Sequence, residues 1–133
     1  MARTQRILRE EGCVSNDPTL ATPAEIWWAD LGQGMPGEPS GYRPVVILSP
    51  ELRETRVMPC VTVIPMPRSR RTYRYRLPIE PAPSNQLLET TYAQVELVRT
   101  ISKDRLLFQG GHVTADDWRT IRELLREYLR IDT

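Results

Sequence analysis

Arginine, carboxylate and hydroxyl groups are the chemistry this sequence offers, and their placement points toward phosphate. Arg43 stands between a glycine, Gly41, and the apolar run Pro44-Val45-Val46-Ile47-Leu48. Four apolar residues without a polar break after Pro44 predict a strand buried on both faces. Proline suits its first position because it has no N–H to give to a ladder. A guanidinium at such a junction is fixed at its root and free at its tip, which suits it to grip a phosphate. It equally suits an ion pair with a surface carboxylate, and this segment alone leaves both readings open. A second basic stretch follows. Arg68, Arg70, Arg71, Arg74 and Arg76 fall within nine residues, with Tyr73 and Tyr75 interleaved. Arginines on phosphates and tyrosine faces for stacking are the pairing that single-stranded RNA needs. The same residues also describe a solvated strand face over core tyrosines.

Metal chemistry finds no support in the pattern. His112 is the single histidine, and Cys13 and Cys60 follow no ligand or redox spacing, so the expectation is no cofactor. His112 reads as loop surface, and nothing marks a serine nucleophile elbow. What remains suits a metal-free attack by a ribose 2′-hydroxyl on its neighbouring phosphate. That reaction needs a proton acceptor, a donor for the leaving oxygen and positive charge near the phosphorane. The nucleophile belongs to the substrate, so few protein groups are required.

The elements that must hold these groups are short. At 133 residues, 40% hydrophobic and 26% charged, the chain suits one globular domain. A net charge of +1 excludes a global attraction to nucleic acid or anionic membrane, so any basic surface is local. No apolar window is long enough for a signal peptide or a bilayer span, and a soluble, cytoplasmic protein is expected. Residues 1–22 read as a flexible extension, with linker composition from Gly12 to Pro23, and residues 23–133 as the domain. Ala24 to Leu31 predicts a first strand with one tryptophan on each face. Packing is open to both and is the reading for Trp28, which leaves Trp27 for packing, a groove or a subunit contact. Gly32 to Gly41, with four glycines and two prolines, predicts a long loop of the kind that serves as a lid or a plain connection.

Strands are further predicted at Met58–Pro65, from near Thr72 to Leu77, at Thr91–Thr100 and at Leu106–Phe108. A turn or short helix is expected at Ser49–Leu52 and a one-turn helix at Ser102–Arg105. In the strand near Thr72, Tyr73, Tyr75 and Leu77 share one face and Arg74 and Arg76 the other. Thr114 to Asp117 resembles a capping box, and Trp118, Ile121, Leu124, Leu125, Tyr128 and Leu129 form a stripe at helical spacing. The sum is a mainly β fold with a C-terminal helix: a twisted antiparallel sheet or partly open barrel closed by the helix.

Three segments carry a resemblance. Glu25-Ile26-Trp27-Trp28-Ala29-Asp30-Leu31, then Gly41-Tyr42-Arg43-Pro44-Val45-Val46-Ile47, then Val95-Glu96-Leu97-Val98-Arg99-Thr100-Ile101-Ser102-Lys103-Asp104-Arg105-Leu106 look like the signature blocks of the MazF/PemK toxins. The resemblance runs from about Ala24 to Leu129. It implies an SH3-like small barrel of the MazF/PemK/CcdB type, a homodimer that cuts single-stranded RNA without metal. The products would carry 2′,3′-cyclic phosphate and 5′-hydroxyl ends, and a cognate antitoxin would cover the groove with an acidic disordered tail.

Carried over by position, Arg43 matches the family's catalytic arginine, and Glu96 matches an acid that serves some members as general base. The family's catalytic threonine falls at Pro67, which has no hydroxyl. An arginine used by some members falls at Gln94, and a histidine near Gly37. Arg68 or Ser69, just past the missing threonine, would then supply the lost group. Trp27, Arg70, Arg71, Tyr73, Arg74 and Gln94 are the expected RNA-facing residues. The departures at Pro67, Gln94 and Gly37 leave a second reading, the same barrel binding RNA or a protein without cutting. A third, a CcdB-like gyrase inhibitor, would need a functional tryptophan near the C-terminus, where Trp118 falls in the helix stripe.

Overall fold

Val45, Val46 and Ile47 are all fully buried, as an unbroken apolar run in a central strand requires. The computed structural model describes residues 16–67 and 74–131. Its main sheet has five strands in the order β6-β3-β2-β1-β7, every neighbouring pair antiparallel. These are β1 (Glu25–Asp30), β2 (Tyr42–Ile47), β3 (Cys60–Pro65), β6 (Arg99–Ser102) and β7 (Leu106–His112). A second, two-stranded sheet pairs β4 (Arg76–Ile79) with β5 (Thr91–Gln94). A one-turn helix, α1 (Arg53–Val57), follows β2, and α2 (Ala115–Leu129) is the last element among the described residues.

Strand periodicity divides the interior in two. Ile26 lies opposite Val46 and Val46 opposite Ile64, and all three enter a cluster with Met66, Ile79, Ala93, Val95 and Ile121. Trp27 lies opposite Val45 and Ile47 opposite Val63, and these join Ala29, Leu31, Val61 and Ile101 in the other cluster. Burying each such side chain stabilises the fold by about 1.5–3 kcal/mol before entropy is counted. The helix starts as its sequence predicts, with the Thr114 hydroxyl accepting from the Asp117 N–H at 3.1 Å. Ile121 is buried, Trp118, Leu124 and Leu125 pack on the first cluster, and Tyr128 meets the edge of Tyr75 at 5.0 Å. Leu129, the last of the stripe, is exposed.

Two expectations are corrected. The strand predicted over Thr91–Thr100 is two strands, split by a 3₁₀ turn at Val95–Leu97. β5 pairs with β4 and β6 with β3, so the chain has to cross between sheets there. Both halves keep a buried face, so alternation alone does not expose the break. The last strand is also longer than predicted and runs through Gly110 and Gly111 to His112. The 3₁₀ turn at Lys103–Arg105 agrees with the expected one-turn helix. The short helix after β2 begins at Arg53, just past the predicted position. Of the expected extension, residues 1–15 lie outside the described residues. Beyond them, Pro18–Leu20 form a 3₁₀ turn and Ala21 packs on the second cluster.

Candidate active site

The loop before β2 is closed at its neck. The Gly41 N–H donates to the Gly32 carbonyl at 2.8 Å, and the Leu31 N–H donates to the Gly41 carbonyl at 2.9 Å. Both glycines hold positive φ, +71° and +74°, which an L side chain adopts only under strain. The next turn of backbone carries Tyr42 and Arg43. Arg43 Nε donates to the Ser40 carbonyl at 3.1 Å, so the loop holds the base of the guanidinium. Among the described residues it pairs with no carboxylate, and it lines a cavity of about 380 Å³.

The cavity wall is aromatic on one side. Trp28, opposite Pro44 across β1 and β2, is half-buried and stacks against Phe108 of β7 at 6.3 Å. Tyr42 stands at the rim, 68% exposed. Met66 and Leu87 give an apolar floor. The opposite side comes from the connection into β5, with Gln86, Leu88, Glu89 and Thr91. This connection is built, not slack. Asn85, buried, donates to the Glu80 carbonyl at 2.7 Å and accepts from the Ala82 and Leu87 N–H groups. Gly111 comes so close that a Cβ would lie 2.2 Å from the Ser84 carbonyl oxygen, which accepts from the His112 N–H. At the far end the Tyr92 N–H donates to the Pro67 carbonyl at 3.1 Å.

A cationic group beside an aromatic wall and a hydroxyl is suited to a phosphodiester carrying a stackable base. The predicted residues divide around it. Arg43 is in the cavity. Trp27 is not: it is fully buried in the second cluster, its indole N–H donating to Glu25 at 3.1 Å. The two tryptophans have therefore exchanged the expected roles, because the main sheet is covered over the Trp27 face and open at its end over the Trp28 face. Arg74 pairs with Glu127 of α2 and lies over the Tyr75 ring. Arg68, Ser69, Arg70, Arg71 and Tyr73 lie outside the described residues.

Glu96 and Gln94 form a separate cluster. Arg76 Nε donates to Glu96 Oε2 at 3.1 Å, with the two side chains only 10% and 18% exposed. With its carboxamide oxygen turned to the same arginine, Gln94 accepts from Nη2 at 2.8 Å and from Nη1 at 3.0 Å. Gln94 is itself buried, so neither it nor Glu96 lines the cavity that holds Arg43. Glu96 is thus a carboxylate of the 3₁₀ turn, held by an arginine.

Sequence reasoning passed over Trp28, Tyr42, Glu89 and Thr91. A signal for the last two was present: an acid and two hydroxyls, Glu89-Thr90-Thr91, stand where a loop enters a strand, as Arg43 does. His112 closes β7, exposed, its ring beside the Val113 carbonyl and away from the cavity lining.

A family model described as the PemK-like, MazF-like toxin of type II toxin–antitoxin systems matches residues 22–129. Among solved structures, an endoribonuclease in complex with its cognate antitoxin from a mycobacterial species is 25% identical. That match has a TM-score of 0.67 and covers 84% of this chain and 97% of that one. Mycobacterium tuberculosis toxin MazF-mt6 is 22% identical at a TM-score of 0.66, over 82% of this chain and 99% of that one. MazF from Deinococcus radiodurans is 19% identical at 0.69, over 82% and 96%. The latter two speak for the fold alone. Matched over most of its length, the chain belongs to the PemK-like, MazF-like toxins of type II toxin–antitoxin systems.

Proposed function

We propose that the protein is a metal-independent endoribonuclease that cuts single-stranded RNA, mRNA included, at selected sequences, with Arg43 at the reacting phosphate. The observation that carries this reading is the placement of that guanidinium. It is tethered at Nε, lacks a carboxylate partner among the described residues, and lines a cavity with an aromatic wall. Arg43 would stabilise the phosphorane as the 2′-oxygen attacks and the 5′-oxygen departs, leaving 2′,3′-cyclic phosphate and 5′-hydroxyl ends. Its charge acts there by stabilisation and not by proton donation, since a guanidinium holds its protons too firmly. Trp28 and Tyr42 would hold a base next to the cut bond.

The working form is a cytoplasmic homodimer kept silent by a cognate antitoxin whose acidic tail lies over Arg43. Support comes from the family and from the mycobacterial relative solved with its own antitoxin. A second reading, a barrel that binds RNA without cutting, is favoured by the engagement of Glu96 and Gln94 with Arg76.

The test is primer extension on a long RNA treated with the protein in EDTA. Discrete new 5′ ends are expected, and Arg43→Ala lowers the cutting rate by about 10²–10³-fold with folding unchanged. Tight RNA binding by wild type with no cutting would select the second reading.

A further inference from the structure

Resting on the nuclease reading, we propose that Glu89 is the general base of this site, presented by the connection into β5. The reaction requires a group that takes the 2′-hydroxyl proton within reach of the phosphate that Arg43 holds. Glu96, the positional match, is turned to Arg76 at 3.1 Å and does not line the cavity. Thr91 marks the end of β5 nearest the cavity, and Gln94 stands three residues further along, roughly 10 Å at the usual strand rise. Glu96 lies beyond that, past the bend into the 3₁₀ turn. Among the described residues lining the cavity, Glu89 is the carboxylate.

Glu89 is also held by its surroundings. The Thr91 hydroxyl, on a buried residue, donates to the Glu89 carbonyl at 3.1 Å and fixes the backbone beneath the acid. The next residue bonds to Pro67, so this stretch lies directly beside the position where the resemblance expects a catalytic threonine. Pro67 offers no hydroxyl, and the neighbouring segment brings Thr91 and Glu89 to the same cavity. Upstream, the Asn85 bonds stop the connection from drifting. An acid used for proton transfer has to be placed this way, on a supported backbone beside the cavity that takes the substrate.

The step balances without a co-reactant. Glu89 takes the proton from the 2′-hydroxyl, the 2′-oxygen bonds to phosphorus, and the bond from phosphorus to the 5′-oxygen breaks. The departing oxygen takes a proton from water, and the hydroxide left behind is neutralised by the proton on Glu89. Thr91 is a positioning residue in this scheme.

The experiment compares full-length wild type and Glu89→Gln on a synthetic RNA containing a cut site mapped on long RNA, in EDTA. Two substrates are used, one natural and one with sulfur in place of the leaving 5′-oxygen. Glu89→Gln is expected to lower kcat by about 10²–10⁴-fold on both, with KM and RNA binding by fluorescence anisotropy unchanged. Sulfur leaves without a proton, so a lost base is not rescued and a lost acid is. Cutting at the wild-type rate by Glu89→Gln, or recovery on the sulfur substrate, overturns the assignment and leaves the nuclease reading standing. Failure of wild type to cut any RNA overturns the nuclease reading first and this inference with it. The glutamate is exposed, so the variant folds; its circular dichroism melt verifies this.

Discussion

Two arginines on neighbouring sheets show how the same side chain is enclosed by the fold in one place and left facing a cavity in another. Arg76 is enclosed. It faces a carboxylate and a carboxamide, and its side chain is 10% exposed. Among the described residues Arg43 has one side-chain bond, to a backbone carbonyl, and it opens on a cavity. A guanidinium has five N–H donors, so the first has most of its directions met by protein while the second, among the described residues, is bonded at Nε alone. The difference lies in what the fold brings across the sheet. Register places Gln94 opposite Arg76, and the turn after β5 brings up Glu96. Opposite Arg43, register places Ala29, which offers nothing to bond.

The comparison breaks most readily at Arg76. Arg76→Ala leaves the largely enclosed Glu96 carboxylate without its cation, and its buried Oε1 already lacks a hydrogen-bond partner among the described residues. Losing one member of such a pair costs about 3–5 kcal/mol, which urea denaturation would read as a lower midpoint. RNA cleavage per folded molecule stays at the wild-type level. The double variant Arg76→Leu with Glu96→Leu recovers part of the loss, since an apolar pair needs no desolvation. If Arg76→Ala keeps full stability but stops cleavage, the two arginines have been assigned the wrong way round.

Whether an arginine faces a partner is not legible in the sequence, and this explains where the sequence reading succeeds and fails. Local signals were sufficient for β2, whose apolar run fixes burial on both faces, and for α2, whose cap and stripe fix its start and its inner side. The position of Arg43 was legible for the same reason, because a loop and a core strand meet at it. The tryptophans were not. Adjacent residues on a strand point to opposite faces, so the pattern says that Trp27 and Trp28 differ without saying which face the rest of the chain covers. For Glu89 and Thr91 the sequence marks an acid and hydroxyls at a strand entrance but not the cavity they line. They reach the cavity through a bond from Tyr92 to Pro67 between segments far apart in sequence, and no local pattern encodes that approach.

The tryptophan pair sharpens the comparison next. Trp28→Ala removes a face of the cavity and is expected to weaken RNA binding by about 1–3 kcal/mol, read by anisotropy on a non-cleavable 2′-deoxy substrate. Its stability loss should be smaller than that of Trp27→Ala, which empties a fully buried site and costs about 3–5 kcal/mol. A binding loss that follows Trp27 at matched stability, and not Trp28, would move the RNA path to the other face of the sheet.

The smallest effect tests whether the loop neck prepares Arg43 for its ligand. Gly41 and Gly37 both hold positive φ, +74° and +89°, and a Cβ at either meets no atom within 4 Å. Alanine at each position therefore introduces the same kind of backbone strain, about 1–2 kcal/mol, without a steric clash. Gly41 differs in carrying the two bonds that close the neck, next to the carbonyl that holds Arg43 Nε. If the neck presets the guanidinium, strain at Gly41 reaches the site and strain at Gly37 relaxes within the loop. Gly41→Ala should then weaken RNA binding several-fold, up to about tenfold for each 1.4 kcal/mol transmitted, while Gly37→Ala leaves it unchanged. Equal binding by the two variants would mean that Arg43 finds its geometry only when the RNA arrives, and that the bond to Ser40 is incidental to the chemistry.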